Sequence, residues 1–246
     1  MTTILVPYHA NERLPDADLP VRADVSVDPD LSAGDAWDRL ARLCGGTADA
    51  VAAADGTPVV FSGDCLIAGG TVAGLQRAGV DAAVVWLDAH GDVHTLETTT
   101  SGYLGGLSLR LVTGAHPDRY ADRFGLRPVA PGRAVLADAR DLDPAEADYL
   151  ATSAIRRLTV PELSAATVPD GPLLLHVDVD VIDAADLPGL RFPVPHGPSA
   201  DDVVAACERL VATGRVAALD VACTWAPPAG PAHARLISRL AALINP

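Results

Sequence analysis

The sequence predicts one α/β domain over residues 1–246, a mostly parallel sheet with helices on both faces. Three observations predict it. Half of the chain is hydrophobic (49%) but only 4% is aromatic, so Ala, Val and Leu must fill the interior. Short uninterrupted apolar runs alternate with amphipathic stretches, the rhythm of βαβ units whose strands are buried on both sides. A length of 246 residues suits one domain better than two independent ones.

Pro58-Val59-Val60-Phe61 reads as a short buried strand, Leu66 to Arg77 as a glycine-containing helix, and Ala82 to Leu87 as a second buried strand entered after Gly79. A helix from about Gly106 to Val112 and a strand Ala134 to Ala137 follow. Asp143-Pro144 opens the next helix, because proline is preset for the first helical turn. Leu173 to Val179 is a strand, Ser199 caps a helix running to about Ala212, Val216 to Val221 is the last strand, and Ala232 to Ile244 closes the chain as a helix. Residues 10–35 and 184–198 are rich in Pro, Asp and Gly without periodicity and read as long loops.

The 18 basic residues are all Arg and stand against 32 acidic ones. The resulting net charge of -14 argues against nucleic acid or an anionic membrane as partner. No apolar run approaches the roughly 18 residues of a spanning helix, and Met1 to Ala10 lack a signal pattern, so a cytoplasmic location is expected. Cys44, Cys65, Cys207 and Cys223 are too scattered for a disulfide framework or a zinc pattern, so any that matters should act as a thiol.

The chemistry concentrates at strand ends, where ligands bind in open parallel sheets. After Val84-Val85-Trp86-Leu87 come Asp88, His90, Asp92 and His94. After Leu173-Leu174-Leu175 come His176, Asp178 and Asp180, which a strand period of two places on one face. A single D-x-D at a strand end is as readily a solvated terminus. Two acidic motifs, each directly after a buried strand, point instead to metal. Burying four carboxylates together costs several kcal/mol unless cations compensate them. This ligand mix suits Mn²⁺ or Mg²⁺, with acids enough for two ions sharing a bridging hydroxide, and that geometry implies a hydrolase. His94 and His176 as readily orient a ligand or fill the core as touch a metal. His9, His116, His196 and His233 are expected on the surface or in loops.

These motifs resemble those of the arginase and agmatinase superfamily of binuclear manganese ureohydrolases, over about Val59 to Pro228. The carrying segments are Ser62-Gly63-Asp64-Cys65, Asp88-Ala89-His90-Gly91-Asp92, His176-Val177-Asp178-Val179-Asp180-Val181-Ile182-Asp183 and Asp220-Val221-Ala222-Cys223. The resemblance implies an arginase-like three-layer fold and two Mn²⁺ ions. Asp88 and Asp178 would bridge the ions, Asp92 and Cys65 would complete one, and His90 with Asp180 the other. It also implies that Asp143 and Glu146 meet the substrate amino group and that the loop carrying Ser101 and Tyr103 meets its carboxylate. Asp92 would orient the attacking hydroxide, and His94 is the best candidate in sequence to protonate the leaving amine.

The departures from the family pattern bear on substrate and metal. Cys65 replaces a histidine ligand and so admits Zn²⁺, Fe²⁺ or Co²⁺. Gly105 stands where arginases carry a proton-shuttling histidine. Cys223 replaces the acid that pairs with the guanidinium, which favours a less basic substrate such as N-hydroxyarginine over arginine. The expected activity is hydrolysis of a C–N bond in a guanidino compound. The alternatives are an agmatinase or formiminoglutamase type of hydrolase and a degenerate guanidino-binding member without turnover. The subunit number is left open, a homo-oligomer included.

Overall fold

The computed structural model describes residues 1–15, 19–226 and 230–244. Residues 16–18 of the first expected loop and Pro228, the end of the resembling segment, lie outside the described residues. The strands are β1 (Thr2–Val6), β2 (Tyr8–His9), β3 (Glu12–Arg13), β4 (Val25–Ser26), β5 (Pro58–Ser62), β6 (Ala83–Asp88), β7 (Ala134–Asp138), β8 (Arg156–Leu158), β9 (Leu173–Asp178) and β10 (Val216–Ala222). The helices are α1 (Ala36–Ala52), α2 (Ala68–Arg77), α3 (Ser108–Val112), α4 (Pro144–Thr152), α5 (Ala200–Val211) and α6 (Pro231–Ala242). Eight strands form one sheet in the order β4-β1-β5-β10-β9-β6-β7-β8, and every pairing in it is parallel. β2 and β3 form a separate antiparallel pair.

Alternate residues of the central strands feed two cores. Ile4, Val60, Val84, Trp86, Leu136 and Leu174 face α1 to α4, while Phe61, Val85, Leu87, Val135, Leu175 and Val177 face α5 and α6. This is a three-layer arrangement in which each central strand is apolar on both faces, as the uninterrupted runs predict. Helix ends follow their capping residues. Asp35 opens α1 by accepting from the Asp38 amide at 2.8 Å, and Ser199 opens α5. At α4 the Glu146 carboxylate reaches back to the Asp143 amide at 3.1 Å. Among the described residues no helix is long and apolar enough to cross a membrane.

Three expectations are corrected. The segment expected as loop up to residue 35 holds the short strands β3 and β4, and the helix after it, α1, is not among the expected elements although Leu40, Leu43, Cys44, Thr47, Ala48 and Val51 recur at helical spacing. It packs on α2 at glycines: a Cβ on Gly70 would lie 2.7 Å from the Cys44 carbonyl and one on Gly74 2.5 Å from Val51 Cβ. The strand expected to reach Val179 ends at Asp178, and Val179–Val181 is a single 3₁₀ turn. His9 and His233 are buried rather than on the surface, although His196 is exposed as expected.

Candidate metal centre and substrate cavity

Register across the sheet explains where the polar groups gather. Val60, Asp220, His176, Trp86 and Leu136 lie side by side on β5, β10, β9, β6 and β7. Two residues further on, Ser62, Ala222 and Asp178 end their strands together, and Asp88 ends β6 opposite Asp138. A cavity of about 180 Å³ opens beyond these ends, with Cys65, Asp88, Asp92, Asp178 and Asp180 on its floor and His94, Ser101, Tyr103, Asp143, Glu146 and Phe192 around its rim.

The floor residues reach the cavity by different routes. Asp88 and Asp178 are the last residues of their strands. Asp180 arrives through the 3₁₀ turn instead of by strand alternation, its amide donating to Asp178 Oδ1 at 2.8 Å. Asp92 sits in the left-handed region at φ 53°, a sparsely populated conformation that turns its side chain into the cavity. Cys65 begins a 3₁₀ turn after β5, opened by Asp64, whose carboxylate accepts the Leu66 amide at 2.9 Å.

Partners on the floor are unevenly shared. Asp88 accepts from Trp86 Nε1 at 3.0 Å and from the His90 amide at 2.7 Å, and Asp178 accepts from Thr224 Oγ1 at 2.6 Å and from the Cys65 thiol at 2.8 Å. His90 Nδ1 lies 3.2 Å from Asp180 and 3.4 Å from Asp88. Asp92 Oδ2 is buried without a hydrogen-bond partner. Burial, then Asp88 and Asp178, push the Asp92 carboxyl well up, and burial with Asp180 and Asp88 does the same to Asp178. Burial and then Asp178 raise the Cys65 thiol. Burial works against charge on His90, yet Asp180 and Asp88 push it up to about 12, and Asp180 itself rises to about 6 through burial and Asp88. For Asp88 burial is outweighed by His90, which holds it below its ordinary value.

Such a set fits divalent cations. Four carboxylates around one imidazole leave a surplus of negative charge in a desolvated place, and Asp92 Oδ2 is a buried acceptor with nothing to accept. The ligand atoms of Cys65, Asp88 and Asp178 lie within 4.8 Å of one another, as do those of Asp88, His90 and Asp180. Either trio can hold an ion, with Asp88 common to both.

At the rim the polar groups already engage each other. Thr98 Oγ1 accepts the Thr95 amide at 2.9 Å and lies 3.1 Å from His94 Nδ1, while His94 Nε2 is 3.0 Å from Asp143 Oδ2. A carboxylate only accepts, so Nε2–H donates to Asp143 and Nδ1 is left to accept from the Thr98 hydroxyl. Glu146 accepts the amides of Val93 and Asp143, both at 3.1 Å. The Tyr103 hydroxyl donates to Asp64 Oδ2 at 2.7 Å and lies 3.0 Å from His9 Nε2. Its ring fills the space over Gly105, where a Cβ would stand 2.3 Å from Tyr103 Cε1. Ser101 is exposed at the mouth.

Cys223, expected to meet the substrate, is 1% exposed and is not among the residues that line the cavity; the neighbouring Thr224 lines it instead. Several residues that shape this site have no role in the sequence reading. Thr224 steadies Asp178, Phe192 roofs the cavity from the long 184–198 loop, and Asp220 anchors His176. Arg140 donates to the carbonyls of Asp180, Val181, Val194 and Pro195 and pairs with Asp138. Of these, only Asp220 and its partner His176 leave a legible trace, because each sits within an acidic strand-end motif.

Comparison with known proteins agrees with this geometry. Residues 7–244 match the family model described as the Arginase family. An arginase of Eremothecium gossypii is 32% identical over 188 residues, which cover 70% of this chain and 47% of that protein. N(omega)-hydroxy-L-arginine amidinohydrolase of Streptomyces lavendulae is 33% identical over 147 residues, 58% of this chain and 52% of that one. The matched segment thus spans about half the length of these curated relatives. Arginase from Bacillus subtilis subsp. subtilis strain 168, a solved structure, shares the fold with a TM-score of 0.82 and 25% identity, covering 99% of this chain and 98% of that chain. With fold, strand-end acids and family match in agreement, the chain belongs to the arginase family of the ureohydrolase superfamily.

Proposed function

We propose that this protein hydrolyses a C–N bond of a guanidino amino acid, with an N-hydroxyguanidine such as N-hydroxyarginine preferred over arginine, at a site for two divalent ions, Mn²⁺ or another ion that Cys65 admits. The observation that carries this reading is the gathering of buried carboxylates with Cys65 and His90 at adjacent strand ends, one carboxylate oxygen having no partner. Asp88 is common to the two positions, Cys65, Asp178 and Asp92 serve one, and His90 and Asp180 the other. Divalent ions held there supply Lewis acidity and lower the pKa of water into the neutral range.

The chain's own residues do the rest. Asp92 accepts a hydrogen bond from the attacking water through its free oxygen and holds it towards the planar guanidino carbon. His94, once charged by the proton that the attacking water gives up, passes the Nε2 proton that it shares with Asp143 to the departing amine as the C–N bond breaks, and is left neutral. Asp143 and Glu146 attract the substrate ammonium. With the Tyr103 hydroxyl engaged by Asp64 and His9, Ser101 is left to meet the substrate carboxylate.

Substrate charge follows from the cavity wall at 223–224, where no acid stands: Cys223 is buried and Thr224 lines the cavity. Arginine's guanidinium stays protonated at any ordinary pH. Seating it without a carboxylate partner costs on the order of 3–5 kcal/mol, or two to four decades of rate if lost in the transition state. A hydroxyguanidine is much less basic and can enter neutral. One of the relatives carries the name of an N(omega)-hydroxy-L-arginine amidinohydrolase, which supports the same choice. The test is kcat/KM for both substrates with the Mn²⁺-loaded protein. We expect about a hundredfold preference for N-hydroxyarginine. A preference for arginine would overturn the charge argument, and a fully metallated protein that binds both without turnover would replace hydrolysis with guanidino binding.

A further inference from the structure

Beneath Cys65 runs a polar chain that the proposed reaction does not use. Asp220 and His176 face each other in register in the middle of an otherwise apolar row of the sheet, and neither has any solvent exposure. Asp220 Oδ1 lies 2.8 Å from His176 Nδ1, and Asp220 Oδ2 accepts the Thr71 hydroxyl. A carboxylate only accepts, so the proton of this pair belongs to Nδ1. His176 Nε2 faces Cys65 Sγ at 3.4 Å. The imidazole cannot turn, because it stacks on the Trp86 indole with centroids 3.7 Å apart. Burying such a pair among Val60, Trp86 and Leu136 is costly, and its direct contact is with the one sulfur on the cavity floor.

We infer that His176, locked by Asp220, Thr71 and Trp86, is a positioning residue that fixes the Cys65 sulfur as a metal ligand and so makes the two metal positions chemically unequal. The sulfur-bearing position, Cys65 with Asp88 and Asp178, takes a thiophilic ion such as Zn²⁺ or Co²⁺. The position of Asp88, His90 and Asp180 has only oxygen and nitrogen donors and takes Mn²⁺ where Mn²⁺ is the more abundant ion. The physical reason is preorganisation. A cysteine side chain free to rotate loses rotamer freedom when it binds an ion, whereas a sulfur whose rotamer is already fixed, its single proton donated to Asp178 Oδ2 and its other side packed 3.4 Å from His176 Nε2, loses little. The inference rests on the binuclear reading given above, and it adds that the two ions differ in kind.

The experiment is a Co²⁺ titration of the chelator-stripped full chain, followed by its sulfur-to-cobalt charge-transfer absorbance, together with elemental analysis after loading with one equivalent of Zn²⁺ in excess Mn²⁺. We expect the band to saturate when one of two bound Co²⁺ equivalents is present, and the mixed load to give one Mn²⁺ and one Zn²⁺ per chain. Cys65→Ser should remove the band. His176→Phe keeps the stack on Trp86 and should weaken Co²⁺ at the sulfur position by about 10–100-fold, with His176→Gln recovering part of the loss. Because His176→Phe leaves Asp220 unpaired, the double change His176→Phe/Asp220→Leu, which removes both partners, is measured beside it. Two bound ions with no sulfur band, or two Mn²⁺ from the mixed load, would overturn the inference while leaving a binuclear site. An unchanged band and affinity in the folded double variant would overturn the role of His176. A chain that binds no divalent ion would overturn the binuclear reading itself.

Discussion

The floor and the rim of the cavity are built on opposite principles. On the floor, carboxylates are brought together by strand register and pinned from below, yet they keep one another's charge uncompensated, and Asp92 Oδ2 is left without a partner. At the rim, polar groups stand on loops and on the first turn of α4 and are already satisfied: His94 by Thr98 and Asp143, Glu146 by two amides, Tyr103 by Asp64 and His9. A floor that is frustrated on its own is poised to bind cations, while a rim that is satisfied on its own must exchange existing contacts for a substrate. Changes from the family pattern fall on both, and they have different consequences. Cys65 alters which ion binds; Gly105, by letting the Tyr103 ring lie over it, alters what fits above.

The sharpest way to break this contrast is to remove one polar group from each region. Asp178→Asn removes a charge that the metal site needs and should lower kcat/KM by about three decades, the scale of several kcal/mol of transition-state stabilisation. Ser101→Ala removes one exposed hydroxyl, which accepts the Tyr103 amide at 3.2 Å, and should cost no more than about tenfold. Steady-state kinetics of the two variants with one substrate decide the matter. Equal losses would mean that floor and rim do not divide the labour in this way.

Arg140 joins the two regions, and removing it should produce the largest change in stability. Its guanidinium holds four carbonyls around the Asp180 turn and the 194–195 loop, and it is the cation facing half-buried Asp138, whose carboxyl burial pushes up while Arg140 pulls it down. Arg140→Met keeps much of the volume but leaves four carbonyls without their donor and Asp138 with only the weaker pull of Arg157, for a loss of about 3–5 kcal/mol. For a domain of this size that corresponds to a fall in Tm of roughly 6–20 °C. Calorimetry of both proteins checks it, and a shift of less than a degree would show the staple to be incidental.

How far the sequence discloses this contrast follows from the same geometry. Floor residues lie within a few positions of buried strand ends, so Asp88, Asp92 and Asp178 can be placed from apolar runs alone. For Asp180 the sequence reading reaches the right place by an inexact route: the strand stops at Asp178, and a 3₁₀ turn carries Asp180 to the cavity. Rim contacts are long-range. Tyr103 meets His9 across 94 positions and Asp64 across 39, and no local pattern encodes such pairs. α1 carries its own signal, Leu40, Leu43, Cys44, Thr47, Ala48 and Val51 recurring at helical spacing; what the sequence hides is that this face is matched to the glycines of α2. Arg140 resembles any surface arginine until its four carbonyl acceptors are in place.

Gly105→Ala tests the rim by shape. The added Cβ would stand 2.3 Å from Tyr103 Cε1, so the ring must leave its place between Gly105 and Phe192 and surrender its hydroxyl contacts. Overpacking of this kind costs about 1–3 kcal/mol. The expected result is a raised KM and a lowered Tm with metal content unchanged. Loss of bound metal in this variant would show that the rim supports the floor after all.

The smallest effect should come from Glu146→Gln, and its dependence on pH is more informative than its size. Burial raises the Glu146 carboxyl above its ordinary value despite the amides of Val93 and Asp143, so the folded state holds this proton more tightly than the unfolded chain does. Below the unfolded-state value the carboxyl is protonated in both states and ionisation costs nothing. As pH rises through the folded-state value it ionises in the buried position, and the wild-type protein loses stability. The glutamine of the variant cannot ionise and avoids that loss, but it turns an amide NH₂ towards one of two backbone donors and forfeits about 1 kcal/mol at every pH. The variant should therefore be less stable than wild type at low pH, with the difference shrinking as pH rises from about 4 towards neutrality. Denaturant unfolding of both proteins across that range measures the difference directly, since contributions from the floor carboxylates are common to both and cancel. A gap that widened with pH would mean that Glu146 is stabilised as an anion, which would make the rim, like the floor, a place built to hold charge.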